Sequence, residues 1–399
     1  MFVLLVSFVY ASSLPSWNMP PLRPLDLPYG GAEPLEGANY TQLFRATEAL
    51  GTYNMSPMIS YLNNMFLATW KNSPRDEDQP GQRVLYSQSS DGVHWSDAND
   101  GTRVMFPNIS TNANPTALFA EPTLLLNTRV YTAASPTQFC LYPDQYQSVL
   151  LLREVLPDFD NLGPVFWASD AVPSGYEENS EIHNLLTLSD MPVQVQNDVA
   201  LLNQTNPTYR PCDTDPQAKG HTMKCEYCEN GCQDWNDITV DTIENERTHY
   251  LLPNRTGDVI LYRNKGKLPN HLYASVRNSF DEPWPAVQET NITDDVSNLN
   301  AGNFPDGRAY LVSNAMVNYI RDPLYLSVTD STNLQFVQTH VLASCHMKAF
   351  GSLGCIRRFT GQGSQPGCQY PQALPITGSL PNFYTIFSLN KEDIWLVSV

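Results

Sequence analysis

The sequence predicts an all-β protein of short antiparallel strands, and three observations lead to that class. Apolar runs of five to eight residues recur along the chain, among them MFLATW (65–70), SVLLLREV (148–155), DVILYR (258–263), LYLSV (324–328) and FYTIFSL (383–389). Runs of this length, rich in β-branched and aromatic residues, suit strands better than helices. Between runs stand Asp91-Gly92, Asp100-Gly101, Asn230-Gly231 and Asp306-Gly307, dipeptides that favour tight hairpin turns. The composition agrees: 16% charged residues beside 20 Tyr, 31 Pro and 21 Gly describes a turn-rich β chain and not a helical bundle or a disordered one.

In chain order, the apolar stretch Phe2–Tyr10 followed by Ala11 reads as a signal peptide over residues 1–11, so a secreted, extracellular product is expected. No later run reaches ~18 consecutive apolar residues, and no membrane span is expected. Residues 12–38 carry Pro15, Pro20, Pro21, Pro24, Pro28 and Pro34 and read as an extended leader lying on a folded body. TQLFRATEAL (41–50) is the one segment expected to be helical. RVLYS (83–87), RVYTAA (129–134), HLYASV (271–276), AYLVS (309–313) and DIWLVSV (393–399) complete the strand set. Strands 383–389 and 393–399 are expected to share a sheet with an N-terminal strand, because joining the chain ends removes free sheet edges. One body therefore spans 39–399, interrupted by a Cys-rich insertion at about 205–235 that lacks strand alternation.

The formal net charge of −18 argues against a phosphate-backbone partner, so nucleic acid is not expected as a ligand. Eight cysteines suit an oxidising compartment, where an even count forms bridges. Cys212, Cys225, Cys228 and Cys232 form a dense cluster, Cys345, Cys355 and Cys368 a second, and Cys140 stands apart. Disulfides are the reading for both clusters, although His221 before Cys225, Cys228 and Cys232 also has the residue types of a zinc site. Glycosylation acceptor sequons occur at Asn39, Asn54, Asn108, Asn203, Asn254 and Asn291.

The segment SSDGVHW (89–95) has a physical logic of its own. Asp91 can accept backbone N–H bonds across a turn that Gly92 permits, while Trp95 packs beneath it. This is an Asp-box, with degenerate echoes at Ser275–Trp284 and Ser327–Phe336 whose terminal aromatics lie 52 residues apart, the length of one four-stranded blade. The chain resembles the sialidase-like Asp-box (BNR-repeat) β-propellers. The likeness is clearest over 70–96, 290–328 and 384–397. It implies a propeller of four-stranded antiparallel blades, six in number, with seven fitting the roughly 360 residues only if they are short. Because that fold hosts several activities, function has to come from the site.

The resemblance implies a site in which arginines bind a substrate carboxylate, an acid protonates the leaving group, and a tyrosine activated by a glutamate is the nucleophile. Arginine suits its part because its planar fork stays charged and meets a carboxylate bidentately. Arg83, Arg263 and Arg321 each border a different predicted strand and are the expected clamp. Asp76, Glu77 and Asp78 supply the acid, Tyr370 the nucleophile and Glu246 its base. Where these sialidases carry a Tyr-Arg-Ile-Pro motif, the chain reads Tyr53-Asn54-Met55-Ser56-Pro57, without the arginine. His183, His249 and His346 are the bases that a uronate lyase would use beside such arginines, with His249 a substrate-binding candidate. Three functions follow: a glycosidase cleaving a terminal acidic sugar, a uronate lyase, or a lectin-like propeller without turnover. No cofactor or metal is expected, the partner is an acidic-sugar glycan, and the protein is expected to be a monomer.

Overall fold

Five antiparallel sheets, taken in chain order, organise the residues that the computed structural model describes, which are 14–18, 22, 28–76, 81–108, 118–120, 124–126, 129–136, 151–155, 162–171, 185–205, 243–264, 268–280, 282, 284–317, 320–351, 354–359, 365–377 and 383–399. The first sheet runs Tyr53–Leu62, Met65–Ser73, Arg83–Ser89, Val104–Phe106. In the second, Leu118–Ala120 and Leu124–Leu126 both pair with Arg129–Pro136, followed by Leu151–Val155 and Leu162–Trp167. The third runs Ile243–Leu251, Asp258–Asn264, His271–Arg277, Gln288–Thr293. Asn300–Asn303, Ala309–Ser313, Leu324–Thr329 and Gln335–Ala343 make the fourth. Cys368–Pro375, Phe383–Leu389 and Asp393–Ser398 make the fifth, which the N-terminal strand Asn39–Phe44 completes.

These strands are buried on both faces because the sheets stack face to face. Phe44, Trp70, Leu85, Tyr384 and Ile394 fill the space between the first and fifth sheets. Val312, Leu326, Phe383 and Phe387 do so between fourth and fifth, Val259, Leu272, Leu311 and Phe336 between third and fourth, and Val84, Met105, Val130 and Leu151 between first and second. Two-sided burial explains why FYTIFSL is apolar almost throughout instead of alternating. The opening strands of neighbouring sheets also touch: Tyr53–Leu62 meets Cys368–Pro375, which meets Asn300–Asn303, which meets Ile243–Leu251. Each sheet runs up and down, so one end gathers the start of its first strand, the end of its second and the start of its third, and the contacts of Tyr370 with Tyr53, Arg263 and Arg321 bring these ends of four sheets together.

Two expectations are corrected. Residues 41–50 are not helical: residues 41–44 belong to the strand Asn39–Phe44, which pairs with Asp393–Ser398, and residues 48–50 form a turn. Long-range pairing with a buried partner strand overrides the local helical propensity of TQLFRATEAL. The helix that does form, Val193–Thr205, turns Val195 and Val199 onto Tyr131, Leu152 and Phe166 of the second sheet. Asn54 is fully buried, its Nδ2 donating to Glu392 O at 2.8 Å, so this sequon is not an acceptor in the folded chain. Within the leader, Ser16–Trp17 and Glu33–Pro34 pair in parallel with the fourth sheet's outer strand. Among the described residues no helix is long and apolar enough to cross a membrane.

Cys345 and Cys355 form a disulfide and Cys368 is a buried thiol, so the second cysteine cluster supplies one bridge. Cys140, Cys212, Cys225, Cys228 and Cys232, the expected signal peptide over 1–11 and all but the first residue of the insertion expected at about 205–235 lie outside the described residues.

The Asp-box turn lies between the third and fourth strands of the first sheet, at the end opposite the gathered one. Asp91 Oδ1 accepts from the backbone N–H of Val93 and His94 at 2.8 Å each, and Ser89 Oγ accepts from Gly92 N at 2.8 Å. These bonds hold the Asp91 carboxyl well below the usual range, the His94 side chain contributing most. Trp95 Nε1 closes the turn on Gly92 O at 3.1 Å. The echo at 327–336 keeps this shape with other residues: Asn333 takes the left-handed place at φ 58° against 74° for Gly92, and buried Phe336 takes that of Trp95.

A β-carbon on Gly92 would stand 2.6 Å from Tyr384 Oη, whereas one on Gly307, at φ 92°, would meet nothing within 4 Å. Both alanine variants bear the left-handed penalty, of about 1 kcal/mol, and only Gly92→Ala also displaces a tyrosine of the neighbouring sheet. Urea unfolding should therefore rank Gly92→Ala below Gly307→Ala by about 1–3 kcal/mol.

Candidate functional site

At the gathered end, Tyr370 opens the fifth sheet where its register shifts between Gln369 and Gln372. Its backbone is left-handed, φ 54°, as are those of Arg321 (50°), Val296 (52°) and Ser56 (49°) nearby in the fold's loops and bulges. Such conformations cost about 1–3 kcal/mol each and persist only where their surroundings enforce them. For Arg321 the enforcement is visible. Its N–H donates to Asp295 Oδ2 at 2.9 Å, and Asn314 Nδ2 donates to Arg321 O at 2.8 Å and to Cys368 O at 2.9 Å. Gly367 lies so close that a β-carbon would stand 2.1 Å from Ile320 O. The fourth and fifth sheets are thus clamped together beside Tyr370.

Three of the sequence-derived residues meet here. Arg263 Nη1 is 3.4 Å from Tyr370 Oη, and the Arg321 guanidinium lies over the Tyr370 ring, 5.6 Å from its centroid. Arg321 Nη1 also donates to Gln369 Oε1 at 2.7 Å, while its buried Nε has no hydrogen-bond partner among the described residues. Tyr370 packs against Tyr53 and Met55 of the first sheet, and Lys71 Nζ lies 5.6 Å from the Tyr53 ring centroid. Two guanidinium groups thus stand at one phenol and an ammonium at the other.

Arg83 is held elsewhere, for a reason that strand register makes plain. Asn54, Asn72 and Arg83 stand opposite one another across three strands, as do Met55, Lys71 and Val84 in the next row. Directly opposed residues share a face and adjacent rows take opposite faces. Arg83 therefore lies on the face of Asn54, donating to Asn72 Oδ1 at 2.9 Å and Leu50 O at 3.2 Å, and burial pulls its pKa down. Arg83 is thus engaged by Asn72 and Leu50, whereas Arg263 and Arg321 meet at Tyr370. Lys71 stands on the face of Met55 and Tyr53.

Asp76 follows the second strand and lies 3.7 Å from Arg357, both side chains largely buried. Glu77, Asp78 and His183 are outside the described residues. Glu246 belongs to the strand Ile243–Leu251, within its register shift, and its side chain is likewise outside them. His249 is exposed on that strand, and His346 Nε2 lies 3.4 Å from Cys355 Sγ. Asp322, Cys345, His346 and Cys355 are near enough to suggest a metal site, but the two sulfurs are bonded to each other.

Sequence reasoning missed Lys71, Arg357 and the pair Asp294-Asp295. Asp294 Oδ2 accepts from Asn264 N at 2.8 Å, next to Arg263, and Asp295 holds the backbone of Arg321. The available signal was a pair of consecutive acids directly after the strand Gln288–Thr293. Burial pushes the Asp294 carboxyl up to about 7, against the opposing pull of the Asn264 N–H and Arg263.

The comparisons agree with this architecture. The family model described as BNR repeat-like domain matches residues 184–379, and a second, described as an N-terminal beta propeller, matches 30–121. The chain resembles the BNR-repeat, sialidase-like propellers. A structure described as "Sialidase" shares its fold at a TM-score of 0.65 and 17% identity, over 93% of this chain and 33% of that one. The chain thus spans a third of that sialidase's length. The Hadza microbial sialidase Hz136 aligns at a TM-score of 0.51 and 8% identity, over 90% of this chain and 68% of that one. Among curated proteins none matches the sequence. At these identities the sialidase likeness establishes the fold alone.

A carboxyl raised from 3.8 to about 7 keeps its proton in the folded state while the unfolded chain loses it. Its stabilisation is therefore complete below the lower value and disappears as pH rises through the upper one. Unfolding midpoints in urea should fall between pH 5 and 7, and Asp294→Asn should flatten that fall. Asp322, raised by burial to about 6, keeps part of the slope in the variant.

Proposed function

We propose that this is a glycan-active protein on a six-bladed, sialidase-like propeller, binding the carboxylate of a terminal acidic sugar at the gathered end of its sheets. The observation that carries the reading is the placement of Arg263 and Arg321 on one tyrosine, Tyr370. Guanidinium groups suit a substrate carboxylate, which their planar forks can meet bidentately. In the hydrolytic form, Tyr370 Oη attacks the anomeric carbon as Glu246 takes its proton. Asp76, beside Arg357, gives a proton to the leaving oxygen, and water then releases the sugar.

One observation favours a second reading, binding without turnover. The family's arginine place is Asn54, whose amide is spent on Glu392 O and Asn72. A clamp short of one fork loses about 1.5–3 kcal/mol, enough to leave a lectin.

Incubation of the protein with sialylated and uronate-containing oligosaccharides separates the readings. Release of a free acidic sugar supports hydrolysis, an unsaturated ultraviolet-absorbing product supports elimination, and saturable binding without product supports the lectin. Arg321→Ala should weaken binding of the acidic sugar by more than about tenfold, the size of one lost charge-assisted fork. Unchanged binding by that variant overturns the site assignment.

A further inference from the structure

We propose that Lys71 is the third cation of the carboxylate site, standing in for the arginine that position 54 lacks; this rests on the acidic-sugar reading above. Position 71 lies on the second strand of the first sheet, directly opposite Met55. Register alone places its side chain on the face of Tyr53 and Met55, the two residues that pack against Tyr370. Asn54, one row away, is turned to the other face and engaged by Asn72 Nδ2 at 2.8 Å. The sheet thus presents its cation from the neighbouring strand, one row along.

The side chain is committed inward. Lys71 is 1% exposed, among the largest fully buried side chains of the protein, at the end of the otherwise uncharged strand MFLATWKNS. Lysine is seldom buried to this degree, because its ammonium is strongly hydrated and its long stem reaches water easily. Here its Nζ stands over the Tyr53 ring, and the Tyr53–Tyr370 contact joins it to Arg263 and Arg321. The first, third and fourth sheets therefore each bring one cation to the packed pair Tyr53 and Tyr370. For a carboxylate held at this pair, a compact point charge complements two planar forks: the forks orient the carboxylate plane, and the ammonium adds attraction without fixing direction.

Calorimetric titration with N-acetylneuraminic acid, glucuronic acid and their methyl esters tests the assignment. The wild-type protein should bind one acid more tightly than its ester. Lys71→Met and Lys71→Gln should each weaken binding of that acid by about tenfold or more, with the ester unaffected, and Lys71→Arg should restore most of the affinity. Thermal unfolding of the three variants checks that they are folded; either neutral variant suffices. If the wild type prefers the acid and a folded neutral variant binds it equally well, Lys71 has no part in the site and the acidic-sugar reading stands. If the wild type shows no preference for acid over ester, the acidic-sugar reading falls and the assignment of Lys71 falls with it.

Discussion

The seam between the two ends of the chain is the constraint on which the site depends. Asn39–Phe44 pairs with Asp393–Ser398, and the buried Asp393 secures the junction by accepting from Ala46 N at 2.9 Å and pairing with Arg358. On the far side, Asn54 N donates to Lys391 O and Ser388 Oγ donates to Asn54 O, so the first and fifth sheets are joined by main-chain bonds as well as by side-chain packing. Tyr53 and Lys71 come from one side of this seam and Tyr370 from the other. A shift of either sheet would separate the phenol from the groups around it.

Buried polar groups then decide local geometry. Asp295, Asn314 and Gly367 act on the main chain at 320–321, and only through it on the guanidinium of Arg321. The unfavourable left-handed conformations of Arg321 and Tyr370 are held by contacts from opposing sheets, so the positions of the two side chains are set by packing outside their own segments. This is a rigid arrangement for a charged site, and preorganised charge is what makes such a site effective on a developing or fixed anion.

Much of the fold was legible from one-dimensional pattern. The strand runs, the Asp-box and the sharing of the last sheet by both chain ends follow from turn chemistry and apolar runs that act locally. The meeting of Tyr370, Arg263 and Arg321 was also anticipated, since each borders a strand at the same end of its sheet. Arg83 shows what pattern misses: it too begins a strand, but register sets it opposite Asn72, whose Oδ1 it binds, and register is a property of paired strands. Lys71 was hidden for the same reason, a lone cation closing an apolar strand. Residues 41–50 mislead because their helical propensity is local and the partner strand that overrides it lies about 350 residues away.

The leader has a consequence for the fate of the folded chain. Ser16–Trp17 and Glu33–Pro34 occupy part of the outer strand Gln335–Ala343, whose other side already pairs within the fourth sheet. An outer strand with unoccupied main-chain donors and acceptors recruits whatever extended peptide reaches it first. By lying there, a proline-rich segment that can hardly propagate a sheet of its own insulates that rim from other molecules. Removing the leader would then uncover the main-chain donors and acceptors of that rim, so the same segment that closes the strand also decides what the strand can meet.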